Sequence, residues 1–279
     1  MKYLFLAIFI LSNVCFAEPV EHTLKKELFN PKTNGKIWVY LPTEYAKKTV
    51  PVILVPPAGT RLFHGMELSD GDSPEHTPYV KEGFAVISFD LSGPWPATET
   101  DQNILMAINS FVTRNGGLDD VKEALGVAKN KFPNLNHNEV YIAGHSSAAT
   151  ISLMAAQQIP EIKAAIAYAP IIDTESYLSD IAGQVTPAIP EFKNVLIDNS
   201  PHKNLDKYRI PVFLFVAKDD GHMSDQKNSY KQFTKALKNK DAQLTFMQVK
   251  SGGHYQSMID EGIPSAISWL NSLRKSNSK

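Results

Sequence analysis

One stretch constrains this chain more than any other. Tyr141-Ile142-Ala143-Gly144-His145-Ser146-Ser147-Ala148 is an apolar strand running into Gly-x-Ser-x-Ala, and a helix-forming run rich in small residues follows it. A strand that turns directly into a helix belongs to a layered α/β architecture, in which helices cover the faces of a mostly parallel sheet. The turn must be tight. Gly144 and Ala148 flank Ser146 at two residues' distance, and both are small where neighbouring backbones pass close. Such a turn lifts a serine hydroxyl above the sheet. It also aims the following N–H, that of Ser147, at the place where charge develops on an attacked carbonyl oxygen. A plain tight turn has the same small residues, so the chemical reading needs partners elsewhere in the chain.

The remaining sequence has the rhythm this architecture requires. Strands are expected over residues 36–41, 51–55, 85–89, 140–143, 164–169, 212–217 and 244–249. Helices are expected over 118–132, 148–158, 229–237 and 264–273. The first of these carries Leu118, Val121, Leu125, Ala128 and Phe132 at helical spacing, and Pro133 ends it. The fold class is therefore α/β, with a mostly parallel central sheet and helices on both faces. Residues 173–209 break the rhythm. They contain Pro187, Pro190 and Pro201 and lack a strong period. This short insertion before the 212–217 strand forms either a small cap or a long irregular connection.

Two further strand ends carry chemistry. The 212–217 strand ends in Asp219-Asp220, and a carboxylate there can hold the Nδ1–H of an imidazole. Either aspartate fits. The 244–249 strand leads into Gly252-Gly253-His254, where a glycine turn lets the ring reach back toward a serine distant in sequence. His145 adjoins Ser146, but a tight elbow directs its side chain away from the serine's. Ser146, then Asp219 or Asp220, then His254 gives a serine, an acid and a base, each just past a strand end, where such a sheet gathers its site. The second oxyanion donor is expected in Val55-Pro56-Pro57-Ala58-Gly59-Thr60. The prolines lack an N–H, so the donor is that of Ala58, Gly59 or Thr60.

Charge and composition exclude other classes. Lys+Arg total 28 against 29 Asp+Glu, for a net charge of −1, without the basic footprint of a nucleic-acid binder. No Gly-rich phosphate loop or dinucleotide fingerprint is present, so no cofactor is expected. Asp70, Asp72, Glu75 and His76 form a polar cluster, but their spacing fits no metal-ligand pattern. A loop near the site entrance is the expectation there. Met66, Trp95, Tyr177 and Phe192 fit a pocket lining and a core equally well.

The N-terminal residues have the layout of a secretory leader: Lys2, an apolar run over residues 3–11, and small residues at Cys15 and Ala17 before Glu18. Cleavage after Ala17 is expected, leaving residues 18–279 as one α/β domain in the periplasm or medium. No later stretch is long and apolar enough to span a bilayer. The single cysteine, Cys15, leaves with the leader, so disulfides, thiol chemistry and cysteine zinc sites are not expected.

Taken in this order, the motifs resemble the α/β-hydrolase superfamily, and within it the catalytic-domain-only relatives of prolyl oligopeptidase and dienelactone hydrolase. Asn199-Ser200-Pro201 to Asp220, through Ile210-Pro211-Val212, is similar to the approach to the acid strand in those families. Val39-Tyr40-Leu41-Pro42 resembles their early strand. The likeness runs over residues 36–273. Pro56-Pro57-Ala58-Gly59 departs from the usual His-Gly of the oxyanion loop. The cysteine nucleophile of dienelactone hydrolases and the propeller of prolyl oligopeptidases have no counterpart.

The resemblance implies a serine hydrolase with an acyl-enzyme intermediate. An exported carboxylic ester hydrolase acting on a small molecule is the first expectation, since no second domain selects peptides. An exported peptidase acting on short peptides is the alternative, and a non-catalytic binding protein on the same fold is the third reading. Matching Ala217 to the small residue that ends this strand in the relatives puts the acid at Asp220. Asp219 then faces away or caps the turn before Gly221.

Overall fold

The computed structural model describes residues 24–223, 226–238 and 243–277. The expected leader, residues 1–17, lies outside them. Eight strands form one sheet among the described residues: β1 (Leu24–Phe29), β2 (Lys36–Leu41), β3 (Val50–Val55), β4 (Ala85–Phe89), β5 (Leu135–His145), β6 (Ile162–Tyr168), β7 (Val212–Ala217) and β8 (Leu244–Val249). Their spatial order is β1-β2-β4-β3-β5-β6-β7-β8. β1 and β2, and β2 and β4, pair antiparallel, and every later pair is parallel. The helices are α1 (Ser73–Lys81), α2 (Asp101–Thr113), α3 (Leu118–Lys131), α4 (Ser147–Gln158), α5 (Thr174–Val185), α6 (Lys227–Lys238) and α7 (Ile263–Asn277).

β3, β4 and β7 are buried along their whole length and are almost wholly apolar, as helix-covered strands must be. Alternate side chains divide between two cores. Val52, Leu54, Ile87, Ile142 and Leu214 pack on one face with Phe111 of α2, Val121 and Leu125 of α3, Ile151 and Leu153 of α4, and Phe233 of α6. Ile53, Val86, Tyr141, Ile166 and Phe215 pack on the other with Tyr79 of α1 and Ile263, Ala266 and Leu270 of α7. Helices therefore cover both faces, as the sequence predicts.

The 173–209 segment is more ordered than its prolines suggest. Asp173 caps α5, its side chain accepting the Ser176 N–H at 3.1 Å. Leu178, Val185, Ile189, Phe192, Leu196 and Ile197 are buried in the main core. Each such burial contributes about 2 kcal/mol, so the segment is rooted in the domain. Phe192 is core, whereas Tyr177 is exposed. No helix among the described residues is long and apolar enough to cross a membrane.

Candidate active site

Ser146 sits between β5 and α4 with φ 55° and ψ −119°. A non-glycine residue holds such a conformation only where its surroundings force it, at a cost of roughly 1–3 kcal/mol. Here two contacts fix it. The Ser146 N–H donates to Tyr168 O at 2.8 Å, tying the turn to the end of β6. Gly144 lies against the first turn of α4, where an added Cβ would stand 2.4 Å from the Ala148 carbonyl. Only glycine permits that approach. Ser146 itself is half-buried, while its neighbours in both directions are buried.

Asp220 follows β7 and is buried. Its Oδ2 lies 2.7 Å from His254 Nδ1, and its Oδ1 accepts the His222 N–H at 2.9 Å. A carboxylate there only accepts, so His254 donates its Nδ1–H to it and leaves the Nε2 lone pair outside that contact. The His254 side chain is 23% exposed while that of Asp220 is not exposed at all, so the pair has one face toward solvent.

Asp219 has a different task from both turn readings. Its two carboxylate oxygens accept the N–H groups of Gly252 and Gly253, at 3.1 and 3.0 Å. Those glycines have φ of 113° and 64°, and a Cβ on Gly252 would meet Ser257 at 2.8 Å. The turn before His254 is thus a fixed structure rather than a flexible one, and Asp219 holds it.

His145 touches His254. Its ring packs 4.5 Å from that of His254, centroid to centroid, and its Nε2 lies 2.9 Å from the His254 carbonyl oxygen. Burial, followed by the neighbouring His254 imidazole, pushes its pKa down to about 4. It is therefore neutral near pH 7 and donates Nε2–H to that carbonyl. On the other side the His222 ring also lies 4.5 Å from His254. His254 is flanked by two imidazoles.

In the 58–60 loop, two of the three candidate N–H groups have partners in the protein. The Gly59 and Thr60 N–H groups both donate to Ser147 Oγ, each at 3.1 Å. Among the described residues the half-buried Ala58 is left without an acceptor for its N–H. Met66 stands beside Gly59, while Trp95 packs on Phe63 and His64.

The polar cluster departs from the expected loop. Residues 70–72 form a 3-10 turn and Glu75 and His76 are buried in α1. Asp70 is exposed and paired with Lys25 at 3.6 Å. Burial raises the Glu75 pKa to about 7, Asp72 adding to the shift, and lowers that of His76 to about 4. Pro74 and Pro78 hid this helix in the sequence.

Residues 76–272 match the family model of the prolyl oligopeptidase family. No curated protein sequence matches the chain. Among solved structures, the fold is similar to that of a putative dienelactone hydrolase from Klebsiella pneumoniae, with a TM-score of 0.66 and 15% identity over 90% of this chain and 97% of that one. It is similar to esterase B from Lactobacillus rhamnosis at a TM-score of 0.67 and 12% identity, covering 92% and 89% of the two chains. An acylaminoacyl peptidase from Pyrococcus horikoshii gives 0.66 and 13%, covering 92% of this chain but 41% of the peptidase.

Proposed function

Because this chain belongs to the prolyl oligopeptidase family and is a serine hydrolase of the α/β type, we propose that it cleaves a small carboxylic ester with Ser146 as nucleophile, His254 as base and Asp220 as the acid that orients it. One observation carries the assignment of roles. The 2.7 Å contact between Asp220 and His254 Nδ1 fixes the tautomer, so Nε2 is available for a serine proton.

The chemistry follows from that arrangement. His254 Nε2 takes the Ser146 proton as Oγ attacks the carbonyl carbon. The resulting oxyanion is held by the Ser147 N–H, at the positive end of α4, and by the Ala58 N–H from the loop. The imidazolium gives its proton to the departing alcohol, leaving an acyl-serine. Water then attacks with the same base, and Ser146 is restored.

The chain spans most of the dienelactone hydrolase and of esterase B, but about two fifths of the acylaminoacyl peptidase. The likeness to the dienelactone hydrolase and to esterase B supports an ester hydrolase as the first reading, and the prolyl oligopeptidase family supports a peptidase as the second. Alkyl esters and peptide-like amides built on the same acyl groups separate the two. Esters should show the larger kcat/KM across the series; a larger kcat/KM for the amides would make the protein a peptidase.

We place the reaction outside the cytoplasm, because residues 1–17 have the layout of a leader. The protein recovered from periplasm or medium should begin at Glu18 by mass spectrometry. An intact Met1 on the active protein would refute export by cleavage.

A further inference from the structure

We propose that the Ser147 hydroxyl sets the geometry of the oxyanion hole by gripping the 58–60 loop, an inference that rests on the serine-hydrolase reading above. Ser147 is 2% exposed, so its hydroxyl does not meet solvent. A hydroxyl oxygen has two acceptor positions, and consecutive N–H groups of Gly59 and Thr60 occupy them. The two residues lie 88 and 87 positions away in sequence, so this grip is a tertiary one.

The loop begins without backbone donors. It leaves β3 through Pro56 and Pro57, which have no N–H to donate. At Gly59 φ is +111°, a bend that turns two successive N–H groups onto one point. Such convergent N–H groups form an anion-binding hollow. Here the Ser147 oxygen fills the hollow, so these N–H groups face the protein rather than a substrate. They become a lock.

The lock joins the two donors of the oxyanion hole. Ser147 supplies one N–H from its own backbone. Ala58, one residue before the gripped pair, supplies the other. Between them run only the Ala58–Gly59 peptide, one hydrogen bond and the Ser147 side chain. The Oγ contact therefore ties the two donors to each other, beyond the pairing of β3 with β5. A carbonyl oxygen that becomes an oxyanion needs both N–H groups in place before the reaction, since donors already in position cost no reorganisation. Ser147 is thus a positioning residue through its side chain, in addition to its backbone role.

Ser147→Ala keeps the backbone N–H and removes the grip. With alkyl esters, kcat should fall about 10- to 100-fold while KM stays within about threefold, as expected for donors displaced by a fraction of an ångström. Affinity for an alkylboronic acid, which forms a tetrahedral adduct, should fall by a similar factor. Amide hydrogen exchange at Gly59 and Thr60 should accelerate. Ser147→Cys, with a bulkier and poorer acceptor, should lie between and carries the test if the alanine variant does not fold.

A folded Ser147→Ala protein with unchanged kcat and boronate affinity per fluorophosphonate-labelled site would overturn the proposal. So would a loss explained wholly by a lower Tm and fewer labelled sites. If the wild-type protein shows no turnover and no labelling, the catalytic reading fails instead. The oxyanion role then falls with it, and exchange at Gly59 and Thr60 still decides whether the grip exists.

Discussion

Ser146→Ala should lower kcat by about 10⁴-fold or more in a protein that folds and melts like the original. No other group at the elbow can replace the lost oxygen. Ser147 Oγ is buried and already accepts two N–H groups, so it cannot approach a substrate carbonyl. Thr150, one turn further along α4, is fully buried and bonded to the Ile171 backbone. The turn itself should survive, because what holds φ at 55° is the Tyr168 contact and the Gly144 packing, neither of which involves Oγ. Steady-state ester hydrolysis, with Tm as the control, makes the measurement. Ordinary turnover by the purified variant would falsify the assignment.

Asp220→Asn should be nearly as severe, also about 10⁴-fold in kcat, while Asp219→Asn should cost about fivefold. The contrast arises from what each carboxylate holds. An asparagine at 220 can present its NH₂ to the imidazole, which then keeps its proton on Nε2 and cannot accept one from serine. It would also leave the buried contacts to His254 and the His222 N–H rearranged. Asparagine at 219 keeps one acceptor for Gly252 or Gly253 and loses the other. At an exposed position that is one hydrogen bond, worth about 1 kcal/mol. The two variants, assayed in parallel, should differ by about three orders of magnitude. Equal effects, or a larger effect at 219, would move the acid role.

The parallel core is legible in the sequence because β3, β4 and β7 are short, almost wholly apolar and buried along their whole length. β2, β4, β7 and β8 match the expected bounds, and β5 extends further toward its N-terminus, over the polar residues 136–139. α2 went unread although Thr100 caps it and Ala107, Ile108, Phe111 and Val112 keep a helical spacing. β1, Leu-Lys-Lys-Glu-Leu-Phe, has no alternation to mark it and gains its order from pairing with β2. At the candidate site, the sequence singles out Ser146, Asp220 and His254 because reactive residue types just past strand ends leave a local signature. The supporting contacts were not. Asp219 on the Gly252 turn, His145 on the His254 carbonyl and Ser147 on the 59–60 loop each join segments far apart in sequence. Nothing local distinguishes a serine that grips a loop from one that merely begins a helix.

Those long separations have a consequence for when the chain can act. The 109 positions that separate His145 from His254, and the 88 that separate Gly59 from Ser147, are bridged only when β3, β5, β6, β7 and β8 are assembled in one sheet. With the roles proposed for Ser146, Asp220 and His254, no fragment or half-collapsed chain would hold the whole set at once. Hydrolysis would then report completed folding, the first turnover marking the moment the sheet closes.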